Sequence, residues 1–292
     1  MSIPWGGFVI LGHPVAHSLS PTFQNAALEA IGARQQYERL DVPPAALAQT
    51  VATLGVHRIA GNVTIPHKEA MAGLASRLTE TAQATGAVNT FWWDAEGLVG
   101  HNTDVLGAEA TIRALLPNGA QGPVVVLGAG GSSAAVLHAL RLCGCSDVHM
   151  VARTPARATA LLERMTISGA VHAEDATGAL APALLSVLQD AALVVNCTPV
   201  GLSGDQQPIA LDAIGTQAAI FDLVYRRTGT AWVREAQHQQ RRAEDGMRML
   251  VEQGAAAFEA WTGVAAPRDV MWRALGGTVP DAQTPRMLAP TT

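Results

Sequence analysis

The sequence is poor in cysteine and has no long uninterrupted apolar run. Its three cysteines, Cys143, Cys145 and Cys197, are too few for a disulfide scaffold, and a Cys-x-Cys without a second pair makes a poor zinc site. They are predicted to be reduced packing residues of a cytoplasmic protein. The most apolar region, residues 180–195, is broken by a proline, a glutamine and an aspartate, so it does not predict a membrane span.

Charged residues make up only 15% of the 292 residues, with a net charge of -5 and no basic block. This composition argues against a nucleic-acid-binding protein or one held to anionic lipid. The beginning of the sequence lacks a charged leader followed by a long apolar stretch, so no signal peptide is expected. The length predicts two domains, and a hydrophobic fraction of 49% is ample for their cores.

Lysine is rare in this sequence. Of the 19 lysine and arginine residues, Lys68 is the one lysine. Only an ammonium group readily loses its proton, so a lone lysine in an arginine-rich chain is a candidate catalytic base. The alternative is an incidental surface lysine. Asp104, which follows the first α/β region, is a plausible carboxylate partner through which its proton could be relayed.

Apolar runs bounded by turn residues alternate with helical patterns along the chain, which predicts an α/β protein. Strands are predicted at Phe8–Leu11, Tyr37–Asp41, Gly61–Ile65, Val124–Leu127, Val148–Val151, Leu193–Asn196 and Ile220–Val224. Helices are predicted from Ser20 to Ala30, at 105–116, at 155–165 and at 247–261, and the tail from Gly276 is expected to be frayed.

A glycine-rich loop follows the strand at Val124–Leu127 and opens a helix. Residues 128–134 read GAGGSSA, so Gly128, Ala129, Gly130, Gly131 and Ser132 are predicted to hold a pyrophosphate. Glycines let the backbone approach the anion, and the N–H groups of the helix N-terminus face it. The alternative is an ordinary turn, but the preceding strand and following helix favour nucleotide binding.

The end of the next strand indicates which nucleotide binds. Ala152, Arg153 and Thr154 stand there, with Arg157 one helical step further on, and no carboxylate is present. Two guanidinium groups and a hydroxyl suit the 2′-phosphate of NADP better than the ribose hydroxyls of NAD. NADP(H) is therefore the predicted cofactor. Four histidines lie in the N-terminal loops, but their spacing fits no zinc pattern, and no metal is expected.

These segments together resemble the shikimate dehydrogenase family from about Phe8 to Gly263. Residues 12–21 (GHPVAHSLSP) are similar to its opening motif, residues 62–68 (NVTIPHK) to its lysine motif, and residues 86–90 (GAVNT) and 102–104 (NTD) to two further motifs. The resemblance implies the following roles: Ser18 and Ser20 bind the substrate carboxylate, Thr64 and Asn89 contact the substrate, and Lys68 and Asp104 form the catalytic pair, also in contact with substrate.

The later motifs extend the resemblance. Residues 196–201 (NCTPVG) and 222–225 (DLVY) are similar to segments that line the nicotinamide, and residues from 246 resemble the helix that returns to the substrate domain. The resemblance implies that Tyr225 and Gln253 contact the substrate and that Leu223, Gly246 and Glu80 lie near the cofactor.

The sequence also departs from the family pattern at three places. Gln24 replaces a common histidine, Ala152 stands where an asparagine often precedes the arginine, and Arg227 replaces a usual proline. The second departure bears on the adenosine pocket and the third on the loop after Tyr225. None of them affects Lys68 or Asp104.

The expected architecture is an α/β protein of two domains. Residues 1–104 and 240–292 are predicted to form a substrate-binding catalytic domain, to which C-terminal helices return, and residues 105–239 a Rossmann-type, doubly wound NADP domain. The active site is expected in a cleft between them, at the carboxyl ends of the parallel strands.

The leading hypothesis is NADPH-dependent, reversible reduction of 3-dehydroshikimate to shikimate in chorismate and aromatic amino-acid biosynthesis. A first alternative is a paralogue that uses quinate or aminoshikimate, although a serine at position 20 resembles shikimate-preferring members of the family. A second alternative is a non-catalytic NADP-binding sensor, against which the intact Lys68 and Asp104 count. The expected partner is a small-molecule substrate, with no nucleic acid or membrane, and the chain is expected to be a monomer or homodimer.

Overall fold

The computed structural model describes residues 5–174 and 180–277, so the predicted frayed tail lies largely outside the described residues. The described chain divides into two compact units. The first unit comprises residues 5–107 and 250–277, and the second comprises residues 108–174 and 180–249. The sequence predicts a return to the first domain at 240. In the structure the second unit continues to Met249, and Ala243–Glu244 is a strand of its sheet.

The first unit combines strands and helices among its described residues. The strands are β1 (Gly7–Gly12), β2 (Tyr37–Asp41), β3 (Ile59–Val63), β4 (Arg77–Leu78), β5 (Thr90–Asp94) and β6 (Gly97–His101). The helices are α1 (Ser20–Ala30), α2 (Leu47–Val56), α3 (Lys68–Leu74), α4 (Glu80–Thr85), the first turn of α5 (Asp104–Leu115), most of α10 (Met247–Thr262) and α11 (Arg268–Ala274), with a 3-10 turn at Pro44–Ala46.

The six strands form one mixed sheet in the order β2-β1-β3-β5-β6-β4. β1 pairs in parallel with β2 and β3, while β5 is antiparallel to both β3 and β6. β3 lies two residues earlier than the predicted strand at Gly61–Ile65, because its pairing begins with Ile59 opposite Gly7. Lys68 therefore begins a helix only a short turn after the end of a central strand.

An apolar core on this sheet includes Leu11, Met71 and Phe91, all completely or almost completely buried. A second group of rings packs around Trp261, whose ring centroid lies 5.0 Å from that of Phe8 and 6.0 Å from that of Tyr37. Burial of such rings removes a large apolar area from water and fixes α10 against the first two strands. The hydroxyl of Tyr37 is buried with its ring and needs a partner inside the unit.

The second unit contains a six-stranded parallel sheet. Its strands are β7 (Val124–Leu127), β8 (Val148–Ala152), β9 (Gly169–Ala173), β10 (Leu193–Asn196), β11 (Ala219–Asp222) and β12 (Ala243–Glu244). Its helices are the remainder of α5, α6 (Gly131–Leu142), α7 (Pro155–Met165), α8 (Pro182–Asp190), α9 (Ala231–His238) and the start of α10, with a 3-10 turn at Leu211–Ala213.

The strand order of this sheet is β12-β11-β10-β7-β8-β9, and every pair is parallel. This is the doubly wound order of dinucleotide-binding domains, whose topological switch point lies between β7 and β10. The predicted Rossmann-type fold is confirmed. The strand predicted at Ile220–Val224 ends at Asp222, because the N–H of Val224 turns to the Asp222 carboxylate, 3.1 Å away.

Candidate active site

Lys68 and Asp104 lie together in the first unit. Lys68 opens α3 and Asp104 opens α5, and Nζ of the lysine donates to Oδ2 of the aspartate over 2.5 Å. The two side chains are 17% and 10% exposed, so a small molecule can still reach the pair. An ion pair in this partly buried setting keeps an ammonium proton at a fixed position beside the carboxylate.

A buried amide holds the other side of the Asp104 carboxylate. Nδ2 of Asn89 donates to Oδ1 of Asp104 over 2.8 Å, and Oε1 of Gln253 lies 3.2 Å from the same nitrogen. Oδ1 of Asn89 accepts from the backbone N–H of Thr103 over 2.7 Å. The structure thus places Asn89, Gln253 and Asp104, which are far apart in sequence, within one hydrogen-bonded group.

Asn62 extends this group, and the sequence analysis assigned it no role. Its side chain donates to the backbone oxygen of Asn89 and to Oγ1 of Thr90, and it accepts a 2.7 Å hydrogen bond from the hydroxyl of Tyr37. Burial raises the pKa of Tyr37 well above its ordinary value, so the hydroxyl remains a donor. The signal was the presence of an asparagine inside a buried strand, where its amide must find partners.

The serines of the opening motif lie before and at the start of α1. Ser20 is the first residue of the helix and is 4% exposed, while Ser18 lies in the preceding loop and accepts from the Ser20 N–H over 3.3 Å. Thr64 follows β3, and its N–H donates to the backbone oxygen of Leu11 over 2.8 Å. These contacts fix the backbone around all three hydroxyl residues.

Glu80 lies exposed in the first turn of α4, apart from the hydrogen bonds of the Lys68 group. The threonines on either side of it both contact Nδ1 of His101, at 2.7 Å from Thr79 and 3.2 Å from Thr81. Burial lowers the pKa of His101, which favours a neutral ring in this position.

Among the residues that the structure describes, no group of three or more His, Cys, Asp or Glu side chains is arranged to hold a metal ion.

In the second unit, the loop after β7 fits a dinucleotide pyrophosphate. Gly128 adopts a φ of +99°, which glycine tolerates best, and a Cβ on Gly130 or Gly131 would meet no atom within 4 Å. The loop therefore leaves space beside Gly130 and Gly131 that a ligand can occupy. Ser133 fixes the loop, since its hydroxyl donates to the Gly128 oxygen over 3.0 Å and accepts from the Gly130 N–H over 3.1 Å. Sequence analysis assigned no role to Ser133, although it lies within the glycine-rich motif.

The predicted 2′-phosphate residues follow β8. Ala152 is its last residue and is buried, whereas Arg153, Thr154 and Arg157 are exposed around the start of α7. Neither arginine forms an ion pair with a carboxylate in the described part of the chain. Two uncompensated cations beside a glycine-rich loop fit a phosphate monoester, so the residues present suit NADP(H).

The ends of β10 and β11 are joined by a buried carboxylate. Asp222 accepts from the Asn196 amide and from the Thr230 hydroxyl, each over 2.8 Å, and burial raises its pKa to about 6. Asn196 in turn accepts from the backbone N–H of Thr198 over 2.9 Å. Asp222 therefore fixes the two loops that the resemblance assigned to the nicotinamide side, although sequence reasoning gave it no role of its own.

Leu223 and Gly246, both predicted to lie near the cofactor, meet in the second unit. A Cβ on Gly246 would lie 2.2 Å from the backbone oxygen of Leu223, so only glycine permits this approach. The N–H of Gly246 donates to the Val224 oxygen over 3.1 Å. Tyr225 follows in the same loop, and its partial burial raises the pKa of its hydroxyl, which stays protonated.

An α/β unit with a lysine–aspartate pair, together with a second unit of doubly wound topology and a glycine-rich loop, defines a nicotinamide-dependent oxidoreductase. Comparisons with known proteins agree. The family profile described as "Shikimate dehydrogenase substrate binding domain" matches residues 10–91, and that described as "Shikimate 5'-dehydrogenase C-terminal domain" matches residues 246–275. The NADP(+)-dependent shikimate dehydrogenase of Microcystis aeruginosa is 36% identical over 277 residues, which cover 91% of this chain and 94% of the relative.

Solved structures give the same result. The shikimate 5-dehydrogenase of Thermus thermophilus, in complex with NADP(H) and shikimate, has a TM-score of 0.80 and 37% identity, covering 92% of this chain and 98% of that one. A quinate dehydrogenase from Corynebacterium glutamicum, in complex with NAD, has a TM-score of 0.81 and 29% identity, covering 91% and 97%. The chain belongs to the shikimate dehydrogenase family.

No helix in the described ranges has the length and apolarity that crossing a membrane requires.

Proposed function

We propose that the protein catalyses the reversible, NADP(H)-dependent interconversion of 3-dehydroshikimate and shikimate, with Lys68 and Asp104 as its acid–base pair. The contact that carries the proposal is the 2.5 Å hydrogen bond from Lys68 Nζ to Asp104 Oδ2. A binding-only module has no need for a partly exposed ammonium–carboxylate pair, whereas a carbonyl reduction needs a proton donor at the oxygen. The relatives named for this activity support the substrate.

In the reduction, the proton of Lys68 passes to the carbonyl oxygen as that oxygen becomes a hydroxyl. Asp104 holds the ammonium in position before the transfer, and solvent returns a proton to Nζ of the partly exposed pair afterwards. In the oxidation Lys68 acts as the neutral amine and takes the hydroxyl proton to become the ammonium, so the same pair acts as base. When bound to the second unit, NADP(H) supplies the hydride in one direction and accepts it in the other.

The remaining polar residues orient the substrate ring. The hydroxyls of Ser18 and Ser20 bind the carboxylate, and Thr64, Asn89 and Gln253 bind ring hydroxyls. Asn89 is suited to this role because its amide is already fixed by Asp104 and by the backbone of Thr103, 2.7 Å away. Because these groups are already held in place, substrate binding costs less conformational entropy. The reacting carbon is then held in a fixed position. The family resemblance also assigns Tyr225 a contact with the substrate.

The second unit binds the cofactor through residues of the four loops that follow β7, β8, β11 and β12. The backbone of residues 128–132 holds the pyrophosphate, and Arg153, Thr154 and Arg157 bind the 2′-phosphate beside Ala152. Leu223 and Gly246 contact the nicotinamide, and the family resemblance also assigns Glu80 to the cofactor. The cysteines are free thiols, which is in keeping with a cytoplasmic location.

The test is an initial-rate assay at the nicotinamide absorbance band, with shikimate or quinate and with NADP or NAD. Turnover confined to shikimate with NADP is the expected result. Comparable turnover of quinate would favour the paralogue represented by the Corynebacterium structure. Binding of NADPH without turnover of either substrate would overturn the proposed activity in favour of a sensor or an enzyme for an aminated substrate.

A further inference from the structure

Arg39 holds the backbone of the first carboxylate-binding serine. From β2, its Nε donates to the carbonyl oxygen of Ser18 over 3.1 Å and its Nη2 donates to the same oxygen over 2.7 Å. Two N–H groups of one rigid guanidinium on one oxygen restrict both the distance and the direction of the contact. The loop before α1 is thereby tied to the strand at the edge of the sheet.

This contact leaves the Ser18 hydroxyl available to a ligand. Oγ of Ser18 accepts from the N–H of Ser20 over 3.3 Å, and its own proton has no acceptor among the residues that the structure describes. A hydroxyl that accepts from the backbone still has its own O–H to donate. It can then donate to an anion without first breaking an internal hydrogen bond.

The charge of Arg39 is also uncompensated. The nearby carboxylate of Asp41 is engaged by Nδ1 of His13 at 2.7 Å, and Arg39 has no carboxylate within 4.0 Å in the described ranges. A guanidinium bound to the backbone oxygen of Ser18 adds a favourable field for an anion at the hydroxyl of the same residue. Since Arg39 is exposed, solvent and salt reduce this field without abolishing it.

We propose that Arg39 is a positioning and specificity residue that makes this site prefer substrates carrying a carboxylate, by fixing Ser18 and by leaving its positive charge unpaired beside it. The inference rests on the proposed function, in which Ser18 and Ser20 bind the shikimate carboxylate. It adds a residue outside the motifs that carried the family resemblance.

The experiment compares Arg39→Gln and Arg39→Lys with the wild-type protein. The matched control is Arg34→Gln, which removes one exposed positive charge from the same unit. Each protein is assayed with shikimate at low and high salt. Each is also assayed with the primary amide of shikimate, a neutral and nearly isosteric analogue, as substrate or as competitive inhibitor.

We expect Arg39→Gln to raise the KM for shikimate roughly threefold to tenfold at low salt, with less effect at high salt and little change in kcat. The affinity for the amide and the KM for NADP should change much less. Arg39→Lys, which keeps the charge but loses the two-pronged contact, should fall between the wild type and Arg39→Gln.

Equal effects of Arg39→Gln and Arg34→Gln on the KM for shikimate would overturn the inference. The change in KM would then come from the loss of a positive charge anywhere on the unit, not from the contact with Ser18. An equal loss for shikimate and its amide would also overturn it, since that pattern reports distorted packing. In both cases the wild-type protein still oxidises shikimate, so the proposed function stands. Wild-type protein that neither binds nor oxidises shikimate would overturn both proposals.

Discussion

Asn89 and Lys68 donate hydrogen bonds to different oxygens of the Asp104 carboxylate. The amide nitrogen of Asn89 donates to Oδ1 over 2.8 Å, and Nζ of Lys68 donates to Oδ2 over 2.5 Å. Because each oxygen has its own donor, the carboxylate cannot rotate without losing both hydrogen bonds. A ligand that contacts Asn89 is therefore held in a fixed relation to the proton that Lys68 carries.

Replacement of Lys68 tests this arrangement. Lys68→Ala should lower kcat about 10²–10⁴-fold, the usual contribution of a positioned acid–base group. NADPH binding, measured by fluorescence titration, should be unchanged because its predicted ligands lie elsewhere. Glu69→Ala, which alters the exposed neighbouring residue in α3, is the control. Wild-type turnover by Lys68→Ala would remove the lysine from the mechanism.

The exposed arginines after β8 should determine the choice of nucleotide. Loss of one charge-assisted contact to a phosphate costs about 1.5–3 kcal/mol, so Arg153→Ala should raise the KM for NADP roughly 10–100-fold. The KM for NAD, which lacks the 2′-phosphate, should change little. Arg164→Ala, an exposed arginine in the last turn of α7, should leave both values unchanged. Equal losses for the two nucleotides would show that Arg153 does not bind the 2′-phosphate.

Gly246 should not tolerate a side chain. Gly246→Ala places a Cβ 2.2 Å from the Leu223 oxygen, and the backbone must move to relieve the overlap. Overpacking of this kind costs about 1–3 kcal/mol, and we expect lower stability with a raised KM for NADP. Gly204→Ala, where the nearest atom is a flexible side-chain oxygen 4.0 Å away, is the control in the same unit. Urea unfolding and cofactor kinetics measure the two effects, and wild-type values for both would contradict the close approach of Gly246 to Leu223.

The buried carboxyl of Asp222 should make stability depend on pH. Burial raises its folded pKa to about 6 from the ordinary 3.8. Between these values the folded protein retains a proton that the unfolded chain has lost, so the contribution of Asp222 to stability falls as the pH rises. The difference of about two pH units corresponds to about 3 kcal/mol.

Asp222→Asn removes this titrating group. The new amide can keep both side-chain contacts: its oxygen accepts from Asn196, and its nitrogen donates to the Thr230 hydroxyl. The stability of the variant relative to the wild type should therefore increase between about pH 4 and about pH 7.5. Urea unfolding at both values measures the change, with Asp212→Asn, an exposed carboxyl of the same unit, as the control. A relative stability that does not vary with pH would show that Asp222 titrates normally.

Local patterns in the sequence were sufficient for much of the fold. The strands at Val124–Leu127 and Leu193–Asn196 and the helix at Ser20–Ala30 have the predicted bounds, because short apolar runs between turn residues and a proline at a helix start are local signals. The antiparallel pairing of β5 with β3 and β6 was not anticipated. Strand pairing depends on contacts between distant residues, and those leave no periodic signal in one segment.

For the site, sequence patterns were enough to identify the available residue types: a lone lysine, a glycine-rich loop after a strand, and arginines where a carboxylate would select NAD. The hydrogen bonds between distant side chains could be read from the folded chain alone. It placed Tyr37 on Asn62, Arg39 on Ser18 and Asp222 between Asn196 and Thr230. The physical reason is that a buried or bridging polar group must be satisfied wherever folding puts it, and its partner is chosen by spatial proximity rather than by separation along the chain.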